Sequence, residues 1–325
     1  MVRRFMAMTA GAGVAMVALA ACAPAGGTGG DPSGDSGLTK VQLGSTTISV
    51  TACLQLGIER GTFEDHGLDV EYQASQSGAA IMPAVAAGQT EFGVSGPPTV
   101  LLAAAQGIDV VAVTGINSSP TEGVDAAAVV VRGDSDIQDS GDLPGHSVAV
   151  TTLNGSGALN IRDAVKKAGG DDAEVSFVEI GLPDMAAQLE AGTVDAVWTL
   201  EPFLGQLVEQ GNRVVSYPSV EAIPGQPALV TFVARKYADA NPEVVDGFRE
   251  GVLESIAYCE ENPDEYKDAI VRYVEMPADV VAAIPPEIWT PEIDVDLLQQ
   301  VADQMLTYGV IDDKLDVTDL VVGAK

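Results

Sequence analysis

The stretch Ser147-Val148-Ala149-Val150-Thr151-Thr152-Leu153-Asn154-Gly155-Ser156-Gly157-Ala158 decides the fold. A short β-prone run over 147–150 passes into seven loop residues, all Thr, Asn, Ser or Gly except Leu153. An amphipathic helix over 158–168 follows. Strand, polar loop and helix in that order make the repeating unit of an α/β protein. The same unit recurs on both sides. Upstream, strands over 41–44, 68–72, 91–94 and 110–114 alternate with helices over 52–60, 79–87 and 99–106, and a strand over 126–131 leaves this first half. Downstream come strands over 175–179, 196–198, 214–217 and 229–234, with helices over 185–191 and 205–210. From Pro242 the pattern is helical: 242–260, 263–273, 277–284 and 294–307. A rhythm that runs, stops and restarts predicts two similar lobes, each a mainly parallel sheet flanked by helices. Such a pair offers a ligand cleft between the lobes, at the carboxyl ends of the strands.

The loops leaving those strand ends share one chemistry. They are Ser45-Thr46-Thr47, Ser95-Gly96-Pro97-Pro98, Gly115 to Ser119 with Asn117 at its centre, and Thr151 to Gly157. Hydroxyls, amides and glycines at these places suit hydrogen bonding to a small polar solute. Thr152, Asn154, Gly155 and Ser156 stand out because they open a helix, whose free N–H groups and positive dipole end attract an anion. The same residues would equally serve as an ordinary N-cap, with Asn154 or Ser156 satisfying the helix's own amides. Trp198-Thr199-Leu200-Glu201-Pro202-Phe203 leaves another strand. Glu201 can present a carboxylate to a ligand amine, or can be an acid placed by the dipole of a helix whose first turn holds Pro202. Trp198 and Phe203 read as core or as stacking surface. Arg132, Arg162 and Arg213 fall at strand ends or on a helix face, so an anionic ligand would lean on backbone amides rather than on a guanidinium fork. That favours a neutral or zwitterionic solute, or a small anion.

The N-terminus carries a different signal. Arg3-Arg4, an apolar run to Ala21 and the sequence Leu19-Ala20-Ala21-Cys22 have the layout of a lipoprotein leader over 1–21, with Cys22 as the lipidated residue. The apolar run is short for a bilayer span of ~30 Å. Residues 22–37 would be a flexible tether of Gly, Ser, Pro and Asp, holding an extracytoplasmic domain to a membrane by acyl chains.

The chain has 47 acidic and 16 basic residues; removal of Arg3 and Arg4 with the leader leaves 14 basic ones and an excess of 33 negative charges. Such a surface repels nucleic acid. His66, in a turn before a strand, and His146 are the only histidines, and they form no metal-type cluster. Neither zinc spacing nor a nucleotide-binding glycine fingerprint is present, so no cofactor is expected. Apart from Cys22, only Cys53 and Cys259 remain. In an exported chain they are either paired or two separate buried thiols.

Six segments in order carry a resemblance. They are Gly57 to Glu71 (GIERGTFEDHGLDVE), Ala87 to Val94 (AGQTEFGV), Ala105 to Val111 (AQGIDVV), Asp142 to Val150 (DLPGHSVAV), Ala191 to Trp198 (AGTVDAVW) and Asn241 to Val245 (NPEVV). Over about residues 41 to 320 the chain resembles the solute-binding proteins of ABC importers in the nitrate/sulfonate/taurine and thiamine-precursor group. The resemblance implies a two-lobed periplasmic-binding-protein type II fold. Residues 38–127 would form the first lobe and 128–232 the second, with 233–325 returning to the first lobe as C-terminal helices. It implies a hinged clamp that delivers a small solute to a membrane permease, with a sulfonate or taurine first, a thiamine-type pyrimidine second and nitrate third. Its ligand loops map here to Ser45-Thr46-Thr47, Ser95-Gly96, Asn154-Gly155-Ser156 and the region of Glu201. Cys53 and Cys259 would lie in helices of one lobe, close enough to bridge. A ligand-sensing lipoprotein is the alternative role. An enzymatic branch of the group makes the thiamine pyrimidine with pyridoxal phosphate, lysine, histidine and a cysteine run. Phe92 to Leu102 holds neither lysine nor histidine, so no enzyme activity is expected.

Overall fold

The computed structural model describes residues 37–323. The expected leader, Cys22 and nearly all of the tether lie outside the described residues. Two five-stranded sheets organise the rest.

The first sheet holds β1 (Thr39–Thr46), β2 (Leu68–Ser75), β3 (Phe92–Ser95) and β4 (Val110–Ser118), joined by α1 (Ser49–Glu59), α2 (Gly78–Ala86) and α3 (Pro97–Ala105). The chain then enters the second sheet through β5 (Ala127–Val131), β6 (Ser147–Val150), β7 (Ser176–Glu179), β8 (Ala196–Leu200) and β9 (Arg213–Ser216). Its helices are α4 (Ser156–Lys167), α5 (Leu182–Glu190), α6 (Phe203–Glu209) and α7 (Pro218–Ala222). Strand β10 (Pro227–Ala234) returns to the first sheet. Helices α8 (Arg235–Ala240), α9 (Pro242–Glu261), α10 (Pro263–Val274), α11 (Ala278–Ala283) and α12 (Val295–Thr307) complete the chain.

The strand orders are β2-β1-β3-β10-β4 and β7-β6-β8-β5-β9, so the two sheets have the same plan. In each, four strands run one way and one runs against them. β10 is antiparallel to β3 and β4, and β5 is antiparallel to β8 and β9. These two strands carry the chain into and out of the second sheet. The short elements α7 and α8 go beyond the sequence reading, because five or six residues give too little periodicity to register. His66, expected to be solvated, is only 22% exposed in its side chain and faces Glu254 at 3.2 Å.

Helices α9 and α10 pack on α1, and α12 packs on α3. The α1–α9 contact is close because Gly57 lies against Ser255: a Cβ on Gly57 would stand 1.9 Å from Ser255 Oγ. One turn away, Cys53 and Cys259 form a disulfide with their Cα atoms 6.1 Å apart. Further along α9, Phe248 stacks on Phe92 at 3.7 Å between ring centroids, tying the helix to the core of the first sheet. The C-terminal segment also reaches the second sheet. Gln304 of α12 donates to Asn160 Oδ1 of α4 at 3.2 Å, and α11 touches α6. Among the described residues no helix is long and apolar enough to cross a membrane.

Candidate functional site

The carboxyl ends of β1, β3, β4, β6 and β8 open onto one cleft between the sheets. Of the residues singled out in the sequence, Ser45, Thr46, Ser95, Gly96, Asn117, Thr152, Gly155, Ser156, Trp198 and Glu201 line it. Thr47 and Asn154 do not. Thr47 is absent from the lining although its neighbours Thr46 and Ile48 are part of it. Asn154 is exposed in the turn that precedes α4. The cleft, open mouth included, holds about 1060 Å³, room for a ring-sized solute and more than a lone inorganic ion fills.

Helix termini supply part of the lining. α3 offers no free donors, because Pro97 and Pro98 occupy its first turn and Thr99 N is bonded to Gly96 O. α4 is different. Its N-cap is Gly155, with no side-chain cap, so neither Asn154 nor Ser156 satisfies the first-turn amides. Gly157 lets that turn sit directly against Trp198, where a Cβ would come within 2.5 Å of the indole. Trp198 thus belongs to the second sheet's core and also lines the cleft, while Phe203 packs in the core alone.

Three carboxylates face the opposite chemistry. Glu201 is 6% exposed, and its Oε2 accepts from Gly205 N at 3.0 Å. It therefore both caps the first turn of α6, after a cis peptide to Pro202, and lines the cleft. Burial pushes its carboxyl up to about 7 against the pull of that amide. Glu287, part-buried, arrives on a segment that pairs along β4: Gly115 N donates to Pro291 O, Thr290 N to Ile116 O and Ser118 N to Ile288 O, at 2.9–3.0 Å. Gly115 is required there, since a Cβ would lie 2.3 Å from Thr290 O. Glu287 Oε1 accepts from Ser49 Oγ at 3.2 Å and Tyr266 OH at 3.3 Å, and Oε2 from Asn117 Nδ2 at 3.2 Å. Desolvation outweighs those donors and raises it to about 7. Asp125, 7% exposed in the crossover from β4 to β5, is raised by burial to about 6, although the Ala126 amide and Ser219 oppose the rise.

No Lys, Arg or His lines the cleft among the described residues. Three residues of its lining carry buried polar atoms without a protein partner: Asn117 Oδ1, Ser119 Oγ and Trp198 Nε1. Sequence reasoning missed Asp125 and Glu287. Asp125 had one usable signal, its place just before the strand that changes sheets. Glu287 had none, because Pro285-Pro286-Glu287-Ile288-Trp289 has no periodicity and only long-range pairing brings it to the cleft.

Two matched sheets with a cleft between their strand ends define a solute-binding-protein fold. The family model described as NMT1/THI5 like matches residues 49–266, and the chain belongs to that family. Over 222 residues it is 26% identical to a formylaminopyrimidine-binding protein of Halalkalibacterium halodurans; the match covers 67% of this chain and 64% of that relative's length. It is 25% identical over 236 residues to the taurine-binding periplasmic protein of Escherichia coli, covering 70% of this chain and 71% of the relative. The alkanesulfonate-binding protein SsuA of Xanthomonas axonopodis, solved with MOPS bound, superposes with a TM-score of 0.75 at 19% identity, over 87% of this chain and 97% of that one.

Proposed function

We propose that the chain is the extracytoplasmic solute-binding component of an ABC importer, capturing a small solute in the inter-sheet cleft and handing it to permease subunits. The residues of the first sheet, 38–126 with 227–325, act as one jaw and 127–226 as the other; β10 brings the return to the first jaw forward from the 233 expected from the sequence. Closure on solute gives the permease a shape to recognise. The leader and Cys22 would tether this receptor to the outer face of the cytoplasmic membrane. The binding roles named for its relatives support a receptor rather than an enzyme.

Of the solutes expected from the sequence, the cleft suits an aminopyrimidine-type heterocycle better than a sulfonate, taurine or nitrate. The observation that carries this reading is the convergence of Asp125, Glu201 and Glu287 with no basic side chain among them. Once ionised, such a wall repels an anion and accepts N–H donors, while the open α4 terminus can meet a carbonyl at the solute's other end. The test is thermal unfolding of the purified chain against 4-aminopyrimidine, N-formylated aminopyrimidines, taurine, methanesulfonate, nitrate and amino acids. A solute at 100 times its Kd adds about 2.7 kcal/mol of stability. The reading expects a raised midpoint with an aminopyrimidine. A response to the sulfonates alone would reverse the choice of solute.

A further inference from the structure

We propose that the cleft binds its solute as an organic cation, through a subsite formed by the Asn117–Glu287 pair with Glu201 and Asp125. The proposal rests on the receptor reading above and adds the charge state that this site selects.

The first support is hydrogen-bond polarity. Asn117 is 7% exposed and commits Nδ2 to Glu287, which leaves its buried Oδ1 without a donor. Ser119, 2% exposed, has an equally unpartnered hydroxyl, able to accept or donate, and the unpartnered Trp198 Nε1 is the one pure donor among the three. Glu201 uses Oε2 for the Gly205 amide, and its other oxygen has no bonded donor. Buried acceptors left unmatched are costly, and a ligand rich in N–H groups satisfies them.

Charge is the second. Three carboxylates border the cleft, and no side chain in its lining can balance them. Burial without a counter-charge holds all three toward their neutral forms, and a cationic ligand would supply the missing charge. Among the described residues no three His, Cys, Asp or Glu side chains are grouped so as to hold a metal ion. An amidinium edge, as in benzamidine or a ring-protonated aminopyrimidine, presents two parallel N–H donors and matches a carboxylate in a bidentate manner.

The test compares three probes of one shape on the purified chain by calorimetric titration: benzamidine (cation), benzamide (neutral) and benzoate (anion), with benzylamine as a second cation. Benzamidine is expected to bind at least about ten-fold tighter than benzamide, with benzoate silent. Glu287→Gln and, independently, Glu201→Gln should each cut that preference to a few-fold while the variants keep a cooperative thermal transition. Benzamide or benzoate binding as tightly as benzamidine overturns the charge assignment and leaves the receptor reading standing. So does silence from both cations when 4-aminopyrimidine or taurine binds. Silence from every probe overturns both.

Discussion

Asn117 and Glu287 lie 170 positions apart in the chain and meet amide to carboxylate at 3.2 Å. The contact joins the end of β4 to a segment that follows α11, and it fixes the orientation of the Asn117 amide. A carboxylate takes the NH₂ end, so the carbonyl must point elsewhere, and it is buried without a partner. One hydrogen bond thereby turns an ambidextrous side chain of the cleft lining into one with a buried, unpaired acceptor.

Asn117→Leu should therefore weaken solute binding by roughly 10- to 100-fold, the value of one or two hydrogen bonds to a charged group. It removes the free acceptor and one of the three donors to Glu287 together. Calorimetric titration with the best solute of the panel reads the loss. Binding within two-fold of the parent would show that Asn117 does not contact solute.

The empty protein should be more stable at pH 5.5 than at pH 8. Glu201 and Glu287 rise from 4.5 to about 7 on folding, and Asp125 from 3.8 to about 6. A raised carboxyl contributes stability that is complete below its unfolded value and is lost as pH climbs through the folded one. The window runs from about 4 to about 7, and one group moved from 4.5 to 7 contributes on the order of 3 kcal/mol. Denaturant melts at the two pH values, compared between the parent and Glu201→Gln, check it. The parent should lose stability with rising pH, and the variant should lose less.

Affinity for a cation should move the opposite way. Benzamidine pairs with ionised carboxylates, so its Kd should rise as pH falls from 8 to 5.5. Glu287 is faced by Ser49, Tyr266 and Asn117, with Asp125 as the charged neighbour, and Glu201 and Asp125 both act on Tyr217. The tyrosines are raised and stay neutral over this range, which leaves the three acids to set the profile. A Kd independent of pH would contradict the arrangement.

Gly157→Ala should displace Trp198. Its Cβ would lie 2.5 Å from the indole, and both the first turn of α4 and the strand that carries the tryptophan are buried. The cost is about 1–3 kcal/mol of stability, as for other overpacked sites. A changed tryptophan emission spectrum should accompany it. A parent-like spectrum and midpoint would show that the contact has slack.

Removal of the Cys53–Cys259 bridge, as Cys53→Ala with Cys259→Ala, should cost roughly 2–5 kcal/mol, because the bridge spans 206 positions of an unfolded chain. Solute affinity should hold, since both residues sit between α1 and α9, away from the cleft. Denaturant midpoints and titration on the same double variant separate the two effects.

The fold was legible where periodicity carries information. The strand over 147–150 matches β6 residue for residue, and most other strands and helices fall within a few residues of the observed ends. The antiparallel β5 and β10 were found as strands, but their direction was not, because direction is set by pairing across the sheet and leaves no local pattern. At the site, Ser45 and Ser95 are readable because each sits at the carboxyl end of a strand, and Ser156 because it opens the helix after one. Asn154 was the natural choice beside them, yet it points to solvent from a turn whose glycine took the cap position. Glu201 was weighed as cap or ligand contact, and the geometry gives it the Gly205 amide and a place on the cleft wall together. Glu287 was invisible, because its position depends on Gly115 admitting the Thr290 carbonyl far along the chain.

The most direct measurement is a calorimetric titration of 4-aminopyrimidine and taurine into the parent chain and into the Glu201→Gln/Glu287→Gln double variant. The account predicts one aminopyrimidine site per parent chain, at least a ten-fold loss of affinity in the variant, and no heat from taurine in either. One-to-one taurine binding to the parent, or aminopyrimidine binding unchanged in the variant, would contradict it.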